Sequence, residues 1–215
     1  CDIDPEAVGF KLAKEMGIYT TDNFTDLLAI EDLNFVIELT MSKEILLELL
    51  RQMKKNKRIQ PAKFFDAEII AFIVSQGNKD VAEKFELTLE NNPKHPSFYT
   101  KEWILSDIDR GEEYFLYRIN GVNCGCVAFE QANSDISYLN RLSVLPEYRH
   151  KGIGEQLVKH VLEYSRTKNI QMVSIGIIAE HTLLKKWYLE LGFIKGETKH
   201  FDHLPFDVIY MSYEL

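Results

Sequence analysis

Arg149-His150-Lys151-Gly152-Ile153-Gly154 stands between a strand-like run and an amphipathic helix. A glycine-rich turn in that place can bind an anion. The first N–H groups of a helix have no partners within it, and glycines let a phosphate come close to the backbone. Arg149 and Lys151 add positive charge beside the turn. A purely structural tight turn would use the same glycines, so the pair alone does not separate the two readings.

The elements around the loop follow from pattern. Behind it, Ile153, Leu157, Val158, Val161 and Leu162 recur at helical spacing and mark a buried helix face. Ahead of it run three antiparallel strands. Residues 114–119 and 122–129 meet at Asn120-Gly121, a strong hairpin signal because both positions accept positive φ. The third strand, 136–144, follows a polar turn at 131–134. Downstream, 172–178 reads as a buried strand, 180–191 as a helix, and 201–215 supplies the last strand, centred on Val208-Ile209-Tyr210-Met211. Upstream, 99–108 reads as helical and 91–97 as a loop, and Pro61 breaks the preceding pattern. The apolar run 66–75 fits a buried strand or a helix. The strand reading is preferred, with Asn78 or Asp80 opening a helix to about residue 90.

The chain has 215 residues, 46% hydrophobic and 27% charged, and is long enough to bury a sizeable core. No apolar stretch reaches the roughly 18 residues that span a bilayer, and no basic patch followed by an apolar run opens the sequence, so the expected home is the cytoplasm, without a membrane partner. A net charge of −8 argues against nucleic acid, which is bound through clustered Lys and Arg, and suits a small cationic partner. Cys124 and Cys126, two apart in a strand, should share one face; they fit a disulfide poorly and lack the other ligands of a zinc site, so no metal is expected. Cys1 in place of a starting Met suggests a fragment or processed product.

Residues 1–60 alternate as α/β units: helix 4–16, strand 17–21, helix 22–30, strand 34–40, then a helix that Ser42 can cap and that ends in the basic run 54–58. Residues 1–40 resemble the later part of a Rossmann-type NAD(P)-binding domain. The resemblance implies that Asp2 is the acidic residue that meets the adenosine ribose. The first strand and the GxGxxG turn of such a site are absent from the sequence, which argues against a dehydrogenase and leaves 1–60 as a partial α/β segment for packing or dimerisation.

Arg149-x-x-Gly152-x-Gly154, preceded by Leu142-Ser143-Val144-Leu145-Pro146, resembles the acyl-CoA pyrophosphate loop of the GNAT N-acetyltransferase superfamily. The run Trp187-Tyr188-Leu189-Glu190-Leu191-Gly192-Phe193 is similar to its second signature, a tyrosine four residues before Gly-Phe. The likeness covers about residues 66–215 and implies an α/β (α+β) fold with a mixed, mostly antiparallel central sheet flanked by helices over 61–215. It also implies acetyl-CoA as cosubstrate. The loop Arg149, His150, Lys151, Gly152, Ile153 and Gly154 would hold the pyrophosphate, and the N–H groups of Leu142 and Val144 would hold the pantetheine arm. Tyr188 would protonate the departing thiolate, since a phenol stays protonated at neutral pH. His181 stands seven residues before Tyr188, where the family often has an asparagine that contacts the pantetheine.

Asn140 occupies the strand position where many family members present a glutamate. The base is left open among Glu130, Asp202, His203 and a water chain. Asp107, Asp109, Glu112, Asp202 and Asp207 form either an acidic mouth for an amine or a solvated face. The function expected is acetyl transfer to a small-molecule or peptide amine. The alternative is a non-catalytic regulatory module that binds acetyl-CoA.

Overall fold

The structure, a computed structural model, describes residues 8–17, 20 and 59–215. The chain divides into two compact units, Cys1–Lys57 and Arg58–Leu215. In the first, helix α1 (Val8–Glu15) lies within the helix expected at 4–16 and carries Lys14 in its last turn, where a cation is favourable. Asp2, the helix from Ser42 and the elements expected at 17–40 lie largely or wholly outside the described residues.

The second unit runs β1 (Ile59–Pro61), α2 (Ala67–Gly77), α3 (Lys79–Lys84), α4 (Lys101–Asp109), β2 (Glu113–Ile119), β3 (Val122–Gln131), β4 (Ile136–Val144), α5 (Ile153–Thr167), β5 (Met172–Ile178), α6 (Thr182–Glu190), β6 (Ile194–Lys199) and β7 (Val208–Glu214). Its seven strands form one sheet in the order β1-β2-β3-β4-β5-β7-β6. Every neighbouring pair is antiparallel except β4–β5. This is the mixed, mostly antiparallel sheet flanked by helices that the sequence led us to expect.

The β2–β3 hairpin turns at Asn120 (φ 49°) and Gly121 (φ 81°), the two positive values a tight hairpin of this twist requires. Helices cover both faces of the sheet, which is why β2 reads as an unbroken apolar run. Tyr114 and Leu116 pack with Ile70, Ile73 and Val74 of α2 and Ile104 of α4, while Phe115 and Tyr117 join Leu157, Val158 and Val161 of α5 on the other side. Ser137 and Ser165 satisfy each other at 3.0 Å where α5 crosses β4.

Three local expectations are corrected. The run 66–75 is helical, not a strand: Ala67, Ile70, Ala71 and Val74 are buried at spacings of three and four, the stripe of a helix that presses one side to the sheet. The first strand is instead Ile59–Pro61. Proline can serve there because the strand lies at the edge of the sheet. The following helix stops at Lys84, short of residue 90, and Glu86 takes a positive φ of 52° just beyond it. Cys124 and Cys126 are both buried, but they join opposite cores. Pairing jumps from Tyr117↔Gly125 to Arg118↔Asn123, so Cys124 is an extra residue in the ladder and faces away from the side that simple alternation assigns.

Candidate active site

β4 and β5 pair only over Ile136–Tyr138 and Met172–Ser174. Beyond those rungs they part. On its other side β4 bulges against β3: pairing passes from Ala128↔Asn140 to Cys126↔Ser143, so Arg141 and Leu142 together oppose Val127, and Arg141 adopts φ 53°. A cavity of about 290 Å³ fills the parting, walled by Leu139–Leu142 of β4, Ile175–Ile178 of β5, and His181, Leu184 and Tyr188 at α6. A bulge that bends one strand away from its parallel neighbour thus leaves backbone groups facing a cleft.

The direction of those groups follows from one bond. Leu145 donates its N–H to the Cys124 carbonyl on β3 at 3.0 Å. Backbone groups alternate sides along an extended strand, so the N–H groups of Val144 and Leu142 face the other way, where β5 has left. Gly77, at the end of α2, lies against this stretch; a Cβ there would stand 3.0 Å from the Ser143 Cβ and 3.4 Å from the Val144 nitrogen. The helix end reaches the strand only because it has no side chain.

At the head of α5, Gly152 takes φ 74° and His150 φ 58°, so the backbone of this loop turns through left-handed geometry twice before the helix starts. Gln156 is the first residue to donate back to the loop, to the Gly152 carbonyl at 3.1 Å. The N–H groups of Ile153 and Gly154 precede the first possible helical acceptor and lie at the positive end of the helix dipole. Trp187 covers this end: a Cβ on Gly154 would touch its ring at 3.5 Å. Lys151 donates to the Glu147 carbonyl at 3.0 Å and stays exposed beside the loop.

Arg149 belongs to the loop, but its guanidinium is directed elsewhere. It donates to Asp80 Oδ2 at 2.7 Å and Oδ1 at 3.2 Å, to the Gly77 carbonyl at 2.7 Å and, through Nε, to the Val144 carbonyl at 3.2 Å. This one side chain ties the loop to the α2–α3 junction and to the end of β4. The arginine beside it holds the Asp80 carboxyl below its ordinary range.

Tyr188 reaches the cleft from α6 and is only 4% exposed, its ring packed on Trp187 and Phe193 at 4.9 and 5.2 Å between centroids. Burial pushes its phenol well above the ordinary value, so it remains a proton donor. His181 caps the same helix: its Nδ1 accepts the Leu184 N–H at 3.3 Å, which leaves Nε2 to carry the proton of the neutral ring. Burial, with Lys84 nearby, lowers its pKa and favours that neutral form.

Among the candidate bases, Glu130 is the one beside the cleft. Asn140, which lines the cavity, donates to Glu130 Oε2 at 2.7 Å. Asp202 is fully exposed, and His203 is exposed against Phe201 at 5.8 Å. Asp107 and Glu112 form neither a mouth nor a solvated face. They are buried on the α2–α4 side of the sheet, where Asp107 is paired with Arg110 and with Tyr114, whose hydroxyl donates to it at 2.9 Å. Burial pushes the Glu112 carboxyl up to about 7, Arg141 opposing the shift and Asp107 and Glu130 adding to it. Sequence reasoning singled out neither Arg141 nor this burial. The available signal was alternation, since Glu112, Tyr114 and Leu116 occupy one face at intervals of two.

No cluster of metal-ligating side chains and no helix long and apolar enough to cross a membrane is found among the described residues.

Residues 78–193 match the model of the acetyltransferase (GNAT) family. An uncharacterised N-acetyltransferase of Methanocaldococcus jannaschii is 24% identical over 102 residues, 45% of this chain and 44% of that protein. The N-acetylaspartate synthetase of Danio rerio is 29% identical over 117 residues, 49% of this chain and 42% of that protein. The chain therefore spans less than half the length of these curated relatives. The solved structure of the PaiA N-acetyltransferase of Thermoplasma acidophilum, in complex with coenzyme A, superposes with a TM-score of 0.63 at 18% identity, over 73% of this chain and 98% of that one.

Proposed function

This chain belongs to the acetyltransferase (GNAT) family, and we propose that it transfers an acetyl group from acetyl-CoA to a primary amine of a small molecule or peptide. The parting of β4 from β5 at the Arg141 bulge carries this reading, because it leaves a strand edge free beside a helix N-terminus. An extended pantetheine arm suits the first and a pyrophosphate the second. The coenzyme A bound in the PaiA neighbour supports the same cosubstrate. The relative named for N-acetylaspartate supports a small-molecule acceptor.

When bound, acetyl-CoA supplies an activated acyl carbon on a sulfur leaving group. The N–H groups of Leu142 and Val144 align the arm, and one of them stabilises negative charge on the carbonyl oxygen during attack. Gly152, Ile153 and Gly154 offer backbone N–H groups to the pyrophosphate, with His150 and Lys151 alongside, while Arg149 fixes the shape of the loop through Asp80. Glu130, positioned by Asn140, accepts a proton from the acceptor ammonium. The freed nitrogen lone pair then bonds to the acyl carbon, the C–S bond breaks with its electron pair passing to sulfur, Tyr188 protonates the sulfur, and the second proton that the nitrogen sheds on becoming an amide leaves to water, which returns a proton to Tyr188. His181 donates to the arm through Nε2, the nitrogen that its cap bond leaves protonated.

The same proposal takes 61–215 as the acetyltransferase domain and 1–60 as a partial Rossmann-like segment for packing or dimerisation, in a cytoplasmic protein. The deciding experiment measures release of coenzyme A thiol from acetyl-CoA across a panel of amines, beside calorimetric titration with acetyl-CoA. Amine-dependent release establishes the reaction. Tight binding without release for any amine overturns it in favour of a regulatory acetyl-CoA-binding module.

A further inference from the structure

The cleft wall carries opposite charges on adjacent residues. Arg141, 24% exposed, lines the cavity from the bulge, its guanidinium 4.6 Å over the Tyr99 ring and its Nε 3.4 Å from Asp107 Oδ2. The neighbouring residue, Asn140, also lines the cavity and holds Glu130 at 2.7 Å. The cleft therefore meets a cationic group and a carboxylate–amide pair side by side.

Arg141 has no carboxylate to itself. Asp107, wholly buried, is shared with Arg110 and Tyr114. Glu112 has one oxygen 3.6 Å from Arg110 and the other buried without a hydrogen-bond partner. Burial pushes its carboxyl up to about 7, so it is a weaker counter-charge than an ordinary carboxylate. Two guanidiniums thus share one carboxylate and one carboxyl of raised pKa, and only Arg141 of the two lines the cleft. A plain ammonium gains nothing from such a neighbour and is repelled by it. An ammonium with an anionic group a few bonds away satisfies both sides of the wall.

Resting on the acetyl-transfer reading, we propose that the acceptor is an amine that carries its own carboxylate, an amino-acid-type substrate whose carboxylate pairs with Arg141 while its ammonium faces Glu130. Guanidinium–carboxylate geometry supplies the selectivity, because a planar fork binds a carboxylate through two parallel bonds.

The test uses the common α-amino acids and, as matched partners, their carboxamides, in two assays on the unmodified protein: calorimetric binding with and without coenzyme A, and thiol release from acetyl-CoA. At least tenfold preference for the acids is expected in both. Equal treatment of acids and amides, or preference for the amides, overturns the acceptor class while leaving acetyl transfer intact. Preference in binding without thiol release keeps the acceptor class and sinks the reaction. Arg141→Met should raise KM for the acids at least tenfold with coenzyme A affinity unchanged, and Arg141→Lys should restore part of that loss. An Arg141→Met protein that binds coenzyme A normally and retains the parent KM for the acids also overturns the proposal.

Discussion

Residues 149–154 present backbone N–H groups from one short segment, whereas the wall around residue 141 gathers charged side chains from α4, from Glu112 just ahead of β2, and from β3 and β4. The first arrangement depends on φ angles and on the absence of side chains: Gly152 at 74°, Gly154 against Trp187. The second depends on which residues a bulge and a sheet register bring together. A backbone site tolerates change in most neighbouring side chains but fails on any change that fills its space, while a side-chain site can be retuned one charge at a time. This contrast predicts different responses to mutation at the two places.

The largest effect should come from filling the backbone site. Gly154→Glu puts a long anionic side chain between Trp187 and the expected pyrophosphate position, and acetyl-CoA affinity should fall by roughly 100-fold or more in a calorimetric titration, given the cost of an unpaired buried charge. An affinity within threefold of the parent would mean that the anion binds elsewhere. Next in size, Tyr188→Phe should lower kcat by about 100-fold, the range for loss of a positioned acid, with acetyl-CoA affinity within about twofold. Unchanged kcat would remove Tyr188 from the chemistry.

Glu112→Gln probes the wall. A raised carboxyl pKa means that the folded chain holds more proton than the unfolded one between the ordinary carboxylate range and about pH 7, so stability falls as pH rises through that window and levels off above it. The glutamine variant should lose this slope and be more stable than the parent at pH 8 by about 1–3 kcal/mol in urea melts. Equal slopes in the two proteins would show that Glu112 titrates normally. The smallest effect is expected at Asp80→Asn. Asp80 is held low by Arg149, so its contribution is present above the ordinary carboxylate range and lost as pH falls through the depressed value. The pair is more than half exposed on the Asp80 side, so solvent screening limits the loss at pH 7 to about 0.5–1 kcal/mol, reduced further by salt.

The same contrast explains what the sequence disclosed. The hairpin at Asn120-Gly121, the strands 136–144 and 172–178 and the helix opened by Ile153 were legible because turn chemistry and burial period are local properties. The glycine loop was legible for the same reason. β6 was not foreseen: as an edge strand it is exposed along its whole length and has no apolar alternation to read. The run 66–75 was misread because its buried stripe is crowded by apolar neighbours such as Ile69 and Phe72. Arg141 and Glu112 were unreadable as a pair, since nothing local relates residue 112 to residue 141. Their meeting depends on β2, β3 and β4 pairing in one register and on a single extra residue in β4. The staple from Arg149 to Asp80 is hidden likewise, because 69 residues separate its ends.

The three rungs that join β4 to β5 have a consequence for the lifetime of the protein as well as for its chemistry. The sheet is an open zipper there, and an extended ligand lying along β4 closes it from within. Any such ligand adds stability that grows with the logarithm of its free concentration over its dissociation constant. The fold's resistance to heat and to proteases then becomes a gauge of how much ligand surrounds it, and a starved preparation should be cut first where the zipper stands open.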